Sequence, residues 1–357
     1  MRTKILLSLL LYVAISYAQF NPAFNKQEAK NLVAICNYWI NGKVKGVDST
    51  YIDSEYKLLY ESKPFKMDNV WQLWQKADDA IVINLRGTTR KSISWYENFH
   101  SAMIPAEGSM VLPDSQKVNY KYADDKRASV HVGWAMGVQF MLSDILKHIK
   151  EANDKGIYNI YLTGHSQGGA LTHLLRAALQ YLPDEQLSSK NNLKVYSFAA
   201  PKPGNRFFAY DYASYTSLKN PSYTIINNSD WVPQVPFSIQ STDNMVEVNP
   251  FYALENNEFE MSFIKRLVVK HIYNSLKKPL VKSQKRFKKT LGTNVKTQIE
   301  KSVGRFEIPE YVDDFAYFPV GVQVILQPWK GETDDEMLKI FWQHLPAHYY
   351  YLIEEQL

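Results

Sequence analysis

The sequence predicts an α/β fold in which a mostly parallel central sheet is covered by helices on both faces. Apolar segments of strand length alternate along the chain with segments of helical periodicity, and this alternation is typical of such a sheet. The segment 80–85 is apolar at all but one position, as expected of a strand that is buried on both faces. Residues 160–171 read as an apolar strand, a glycine-flanked turn around Ser166 and the start of a helix.

The spacing of apolar residues predicts the elements in chain order. They are a helix over 25–42, strands over 56–61, 70–74 and 80–85, a helix from about 130 to 149, a strand from 160, a helix over 170–182, strands over 193–200 and 223–228, two helices within 262–305, a strand over 320–326, a short helix over 334–341 and a closing segment over 344–352.

Between 91 and 129 the periodicity is lost, although large apolar residues are frequent. Such residues are unusual in an ordinary solvent-exposed loop. We expect the segment to be either a buried flap or a mobile cover over an apolar site. Its large apolar residues are Trp95, Tyr96, Phe99, Met103, Ile104, Met110 and Val111.

The first residues resemble an export signal. A basic start precedes an apolar run from 5 to 15, and small residues precede Gln19. This predicts a signal peptide over 1–18 that is cleaved after Ala18, and therefore an extracellular or periplasmic protein. Residues 19–357 would form one domain with a helical insertion at about 255–310. An apolar content of 45% excludes a disordered chain, and with Cys36 as the single cysteine an internal disulfide is excluded.

Ser166 is the candidate nucleophile. It stands in Gly164-His165-Ser166-Gln167-Gly168, where glycines on both sides allow the sharp strand-to-helix turn that exposes a reactive serine. The helix that follows would direct free N–H groups at the reacting carbonyl. The strand 80–85 ends in Arg86-Gly87-Thr88, a position from which a second hydrogen-bond donor could stabilise an oxyanion.

The remaining partners of a catalytic triad must follow the serine in this order of elements. Asp230 lies at the end of the strand 223–228, with Asp243 and Asp313 as alternatives. Among eight histidines, His344 and His348 come after the last strand, where the base is expected. The sequence contains no metal-ligand cluster, phosphate-binding glycine loop or nucleic-acid module, so we expect no cofactor, no metal and no nucleic-acid partner.

Six segments, taken together and in this order, resemble the class 3 lipases, the fungal-type triacylglycerol lipase family of α/β-hydrolases. The likeness covers the chain from about residue 30 to its end, except for the insertion at 250–310. The segments are Asp79 to Thr88, Val130 to Trp134, Gly164 to Ala170, Ser197 to Asn205, Asn228 to Pro233 and Leu345 to Tyr351.

The resemblance implies a catalytic triad and an oxyanion hole. Ser166 would be the nucleophile, Asp230 the orienting acid and His348 the base, while Thr88 and the Gln167 backbone N–H would hold the oxyanion. The reaction would be hydrolysis of lipid esters through an acyl-enzyme, and the segment 95–111 would correspond in position to the family's lid. Two alternatives remain, an esterase or thioesterase for non-lipid substrates and a catalytically inactive lipase-like module that binds surfaces.

The segment from Lys265 to Arg305 is strongly basic. It contains thirteen Lys or Arg and one acid, Glu300, which gives +12. The whole chain carries +5, and the loss of Arg2 and Lys4 with the signal peptide would leave +3. The remainder of the mature chain would therefore carry about −9. Such a segment, with apolar residues at helical spacing, predicts an anionic lipid surface as a binding partner. The sequence does not predict an oligomeric state.

Overall fold

The computed structural model of the chain describes residues 21–77, 79–216, 220–246, 248–258 and 260–357. The predicted signal peptide at 1–18 lies outside these residues. Among the described residues, no helix combines the length and the apolar character needed to cross a bilayer.

Thirteen strands are found in the described part of the chain. They are β1 Tyr56–Glu61, β2 Trp71–Lys76, β3 Ala80–Leu85, β4 Met103–Pro105, β5 Glu107–Val111, β6 Lys117–Lys121, β7 Ser129–His131, β8 Asn159–His165, β9 Asn192–Phe198, β10 Gly204–Asn205, β11 Ser222–Asn227, β12 Tyr317–Phe318 and β13 Val322–Leu326.

Ten α-helices accompany them over the same described ranges. They are α1 Lys26–Asn37, α2 Ser92–Phe99, α3 Val132–Asn153, α4 Gln167–Gln180, α5 Arg206–Tyr215, α6 Pro250–Glu255, α7 Phe263–Phe287, α8 Val295–Val303, α9 Glu336–Phe341 and α10 Pro346–Gln356. A π-helical segment, Lys288–Asn294, joins α7 to α8.

The central sheet has seven strands in the order β1-β2-β3-β8-β9-β11-β13. The five strands from β3 to β13 are parallel to their neighbours, and β1 and β2 add an antiparallel edge. Every residue of β3 and β8 is buried, because helices pack on both faces. The predicted α/β fold with a mostly parallel, doubly covered sheet is confirmed. Since the carboxyl ends of parallel strands lie at one edge of the sheet, the residues that follow β3, β8 and β11 meet there.

The segment 91–129 is a second packed layer of the molecule. It contains α2, then β4 in a four-stranded sheet of order β12-β10-β7-β4, then the β5–β6 hairpin. Met103 and Ile104 have no exposed surface. The partners of this layer come from other parts of the chain: β4 pairs with β7, and α2 packs against α3 and α8. Local periodicity therefore could not indicate the layer.

The basic insertion is also built differently from the prediction. The sequence predicts two helices separated at Pro279, but α7 continues through Pro279 to Phe287. Both halves of α7 rest on the segment 239–255: Tyr273 Oη donates to Glu255 Oε1 at 3.0 Å, and Gln284 Nε2 donates to the Ile239 carbonyl at 3.0 Å. These anchors on either side of the proline fix the helix direction, and Pro279 itself is solvent-exposed.

The first helix is fastened by a buried cation of the central sheet. Lys194 of β9 has no exposed surface and donates to the Asn21 and Ala23 carbonyls and to Glu28 Oε2, at 2.8, 2.8 and 2.7 Å. Tyr196 Oη donates to the same Glu28 oxygen at 2.8 Å. On its other side α1 packs against α10. The start of α1 is thus held by residues more than 160 positions later in the chain.

Candidate active site

The turn between β8 and α4 holds Ser166 in an unusual backbone conformation. Its φ is 62° and its ψ is −130°. Non-glycine residues rarely adopt this backbone conformation, which costs about 1–3 kcal/mol. Two backbone contacts hold the turn: the Ser166 N–H donates to the Phe198 carbonyl at 2.9 Å, and the Gly169 N–H donates to the Ser166 carbonyl at 2.9 Å. Ser166 is partly exposed, whereas its neighbours in sequence are buried. The turn therefore presents the serine outward from a fixed backbone.

The glycines at this turn are required by close backbone approach. A Cβ at Gly164 would overlap the carbonyl oxygen of Gly168, and a Cβ at Gly168 would overlap that of Leu85 at the end of β3. A Cβ at Gly87 would lie 2.9 Å from the His165 carbonyl oxygen. The turn after β8 and the end of β3 are consequently pressed together, which brings the segment after β3 beside Ser166.

Asp230 lies just beyond β11 with about 1% of its surface exposed. Its Oδ1 accepts the Val232 N–H at 2.9 Å, and its Oδ2 accepts the Tyr349 hydroxyl at 2.9 Å. The same Oδ2 lies 2.7 Å from His344 Nδ1. With Nδ1 facing the carboxylate, the His344 ring has its Nε2 free to act on another group. A buried carboxylate that orients an imidazole in this way is the arrangement needed to support a general base.

The predicted pairing of Asp230 with His348 is wrong. His348 Nδ1 lies 2.6 Å from the Trp342 carbonyl oxygen, and its ring stacks on Trp329 with centroids 4.7 Å apart. Burial lowers the pKa of His348 despite that carbonyl contact. The physical reason for the difference is the start of α10 at Pro346. His344 precedes this helix and reaches the sheet edge, whereas His348 lies in its first turn and faces Trp329.

The ring of His165, the residue before Ser166, contacts the ring of His344. The two rings have centroids 4.5 Å apart and an angle of 45° between their planes. Burial, and then the proximity of His344, lower the pKa of His165 well below its usual value. His165, the residue before the serine, is therefore a neutral side chain against which the His344 ring packs. Its place in the glycine motif indicates only its proximity to Ser166.

Thr88 follows β3 and is held by α2. Asn98 Nδ2 donates to Thr88 Oγ1 at 2.8 Å, and Asn98 Oδ1 accepts the Trp134 indole N–H at 2.9 Å. The Asn98 amide is thus fixed from both ends. Gln167 is the first residue of α4, so its backbone N–H has no acceptor within the helix. Thr88 and Gln167 therefore stand on the two segments that the close approach of Gly168 to Leu85 brings together. Asn98 was not predicted, and nothing in its local sequence indicates this contact.

The side chain of Gln167 is also held by α2. Ser94 Oγ donates to Gln167 Oε1 at 3.3 Å, and Glu97, on the next turn of α2, accepts from Asn69 Nδ2 at 3.0 Å. Glu97 has no exposed surface, and burial raises the pKa of its carboxyl well above the usual value. Gly137 of α3 leaves room for it, since a Cβ there would overlap Glu97 Oε1. Helix α2 therefore contacts both residues that were predicted to bind an oxyanion.

These contacts bear on the predicted lid over 95–111. Of its apolar residues, Met103, Ile104 and Met110 are buried in the second layer and Phe99 is half exposed. The buried side chains of Ser94 and Glu97 hold α2 in place through their hydrogen bonds to Gln167 and Asn69. The segment is a packed flap, as the alternative prediction had it. Within the described ranges, no three His, Cys, Asp or Glu side chains are grouped so that they could hold a metal ion.

Residues 82–240 match the model of the class 3 lipase family. The match includes both Ser166 and Asp230, so the chain is similar to class 3 lipases over these residues. It is 33% identical to a lipase of Caenorhabditis elegans over 79 residues, which are 22% of this chain and 21% of that protein. It is 28% identical over 179 residues to a secreted mono- and diacylglycerol lipase of Gibberella zeae, covering 48% of this chain and 50% of that one. The chain thus spans half or less of the length of these two relatives.

Solved structures of fungal lipases also align with this chain. A fungal lipase–inhibitor complex has 20% sequence identity and a TM-score of 0.43, with 59% of this chain and 74% of that one covered. A Rhizomucor miehei lipase–propeptide complex has 21% identity and a TM-score of 0.41, with coverages of 59% and 62%.

Proposed function

We propose that this protein is an exported serine hydrolase that cleaves carboxylic esters of lipids through a triad of Ser166, His344 and Asp230. The observation that carries the proposal is the 2.7 Å contact between His344 Nδ1 and the buried Asp230 carboxylate. It is reinforced by the strained turn that presents Ser166, by the contact of the His344 ring with His165, the residue before the serine, and by the match of residues 82–240 to the class 3 lipase model.

In the first half of the reaction, His344 Nε2 takes the Ser166 hydroxyl proton as Oγ attacks the ester carbonyl. The carbonyl oxygen becomes an oxyanion, which Thr88 and the Gln167 backbone N–H stabilise. One such donor contributes about 3 kcal/mol to transition-state stabilisation. The C–O bond to the alcohol then breaks, and His344 returns the proton to the departing alcohol oxygen. The products are a free alcohol and an acyl group on Ser166.

In the second half, His344 takes a proton from water as the water oxygen attacks the acyl carbonyl. The same two donors hold the second oxyanion. When the bond to Ser166 Oγ breaks, the proton returns to the serine and a carboxylic acid leaves. Asp230 keeps its negative charge throughout and stabilises the imidazolium formed at His344 in each half.

A lipid ester is the proposed substrate because residues 82–240 match the class 3 lipase model and the chain is similar to named lipases. Export is proposed from the basic-apolar start of the sequence and from its likeness to a fungal protein named as secreted. Hydrolysis of a series of p-nitrophenyl esters with short to long acyl chains, and of emulsified triglyceride and phospholipid, tests the proposed substrate class directly. We expect hydrolysis to increase with chain length and to fall about a million-fold in Ser166→Ala. Near-full activity in that variant would overturn the proposal.

A soluble esterase is the second candidate, and the fastened helix α2 favours it. A cover that opens only at a lipid surface should be weakly attached in its closed position, whereas α2 is held by the buried Ser94 and Glu97. On this alternative, short esters are hydrolysed fastest, and the rate saturates smoothly as substrate passes its solubility limit. The ester series therefore separates the two candidates.

A further inference from the structure

The outer face of α7 is divided along its length into an apolar half and a basic half. In the first half, Phe263 and Ile264 are each 74% exposed, and further apolar residues, Leu267, Val268, Ile272 and Leu276, are at least half exposed. In the second half, the same side of the helix carries the exposed residues Lys278, Lys282, Lys285, Arg286 and Lys289. At 100° per residue, Ile264, Val268, Lys282 and Arg286 all lie within about a quarter of the helix circumference.

The opposite face of α7 packs against the rest of the protein. Tyr273 and Gln284 are buried, and Lys277 forms ion pairs with Asp243 and Glu255 at 2.6 and 2.5 Å. Phe287 packs against Phe315, with ring centroids 5.9 Å apart. The helix is therefore fixed on the body of the molecule, and its outer face is a stable surface. A row of large exposed apolar side chains on such a surface is uncommon in a protein that stays in water.

We propose that α7 docks the protein onto a bilayer surface that contains anionic lipid. The apolar half enters the boundary between headgroups and acyl chains, as the apolar faces of interfacial helices do. The basic half binds anionic headgroups, and its long side chains reach toward them while the helix lies flat. The charge supports this occupant, because Lys265–Arg305 carries +12 while the rest of the mature chain is acidic. An anionic surface repels the acidic remainder of the protein, and this repulsion orients the basic face of α7 toward the surface.

The docking helix is connected to the candidate site through the elements that follow it. The π-helical segment after α7 receives a hydrogen bond from the Ala102 N–H to the Leu291 carbonyl. Helix α8 then packs against α2, with Ile299 of α8 fully buried. Since α2 contacts Thr88 and Gln167, a series of direct contacts connects α7 to the neighbourhood of Ser166. Binding itself does not depend on the proposed hydrolysis.

Co-sedimentation with vesicles of ether-linked phosphatidylcholine, with or without ether-linked phosphatidylglycerol, tests the proposal without interference from hydrolysis. We expect binding to the anionic vesicles at low salt and release toward about 1 M salt, where the Debye length is about 3 Å. Lys278→Glu/Lys282→Glu/Lys285→Glu should lose affinity by more than tenfold, since each basic residue near such a surface contributes severalfold. Ile264→Glu/Leu267→Glu should also reduce binding. The binding that remains should be more sensitive to salt than that of the unsubstituted protein.

Matched variants away from α7 provide the controls. Lys45→Glu/Lys57→Glu/Lys63→Glu changes the net charge equally at exposed positions and should leave binding nearly intact. Val322→Glu is a control for the apolar half, because Val322 is 52% exposed on the edge strand β13. Unchanged circular dichroism and unchanged turnover of a short soluble ester verify that each variant is folded. Equal binding to neutral and anionic vesicles, equal loss in the charge control, or association of α7 with a second copy or a nucleic acid in place of vesicles would overturn the proposal.

Discussion

Asp230 is the residue on which the geometry of the candidate triad depends. Its two oxygens accept from the Val232 N–H and the Tyr349 hydroxyl and contact His344 Nδ1. Tyr349 is itself fixed, because its hydroxyl accepts the Asn227 N–H at 3.0 Å. The carboxylate is therefore held from β11 and α10 at once, and the His344 ring is oriented by groups from two separate elements.

Replacing each of the two late histidines separates catalysis from packing. His344→Ala should reduce kcat by about a million-fold, as when a triad base is removed. His348→Ala should leave kcat within about tenfold and lower the melting temperature, because it removes a buried ring between Trp329 and Trp342. Steady-state kinetics and thermal denaturation check both. An inactive His348→Ala variant together with an active His344→Ala variant would contradict the assignment.

Two variants around Asp230 should differ strongly in size. Asp230→Asn should lower kcat by about ten-thousand-fold, because an amide favours the wrong imidazole tautomer at His344. Tyr349→Phe removes one of several hydrogen bonds to the carboxylate and should cost about 1–3 kcal/mol of transition-state stabilisation at most. Pre-steady-state acylation rates measure both. Equal effects would mean that Asp230 serves the packing of α10 more than the orientation of His344.

At single positions, the sequence predicted those features that local geometry defines. The glycine-flanked turn at Ser166, the strand-end position of Asp230 and the position of Thr88 after β3 all follow from strand boundaries. The choice between His344 and His348 could not be made this way. They lie one helical turn apart, and the distinction depends on whether α10 begins before or after His348. Pro346, favoured in the first turn of a helix, was the available signal.

At the scale of single elements, α2 is the one that the candidate oxyanion site depends on. Asn98→Ala removes the donor to Thr88 Oγ1 and should lower kcat by roughly tenfold or more with little change in KM, a part of what loss of a direct donor costs. Arg90→Ala, at an exposed neighbouring position, is the matched control. A rise in KM with unchanged kcat would instead indicate that Asn98 supports substrate binding alone.

Elements built from local periodicity were predictable, whereas those built from distant contacts were not. The bounds of β1 and β3 agree with the prediction, and those of β9, β11 and β13 agree within about two residues. The second layer could not be foreseen, because β4 pairs with β7 and α2 packs against α8. Helix α8 lies about two hundred positions after α2 in the chain. The single long helix α7 was missed because a proline normally ends a helix, and its continuation depends on tertiary anchors on both sides.

At the scale of the whole molecule, buried neutral histidines should make the fold sensitive to acid. Burial lowers the pKa of His100 and His173 to about 3, and lowers that of His131 and His165 well below the usual value. Below an unfolded pKa of about 6.5 the unfolded chain binds protons that the folded chain does not. The raised pKa values of the buried Glu97 and Asp314 carboxyls have the opposite effect, but four histidines outweigh two carboxyls.

The free energy of unfolding should therefore fall as the pH decreases from about 6.5 toward 4. The two histidines with a pKa of about 3 together contribute a slope of about 2.7 kcal/mol per pH unit once both are protonated in the unfolded chain. Urea denaturation at a series of pH values measures this slope. His173→Gln, which cannot gain the proton, should have a shallower slope than the parent even if it is less stable. A stability that stays constant from pH 7 to 5 would contradict the expectation.

The hold of Lys194 on the start of α1 has a consequence for the order in which the chain folds. Helix α1 emerges first during synthesis, yet its buried side needs β8 and β9, and its other side needs α10 at the far end of the chain. Contacts over such sequence separations form late because the intervening loop must close first. We expect α1 to remain undocked until α10 is available. A nascent chain that lacks α10 would then leave residues 21–37 open to protease, although they are among its oldest.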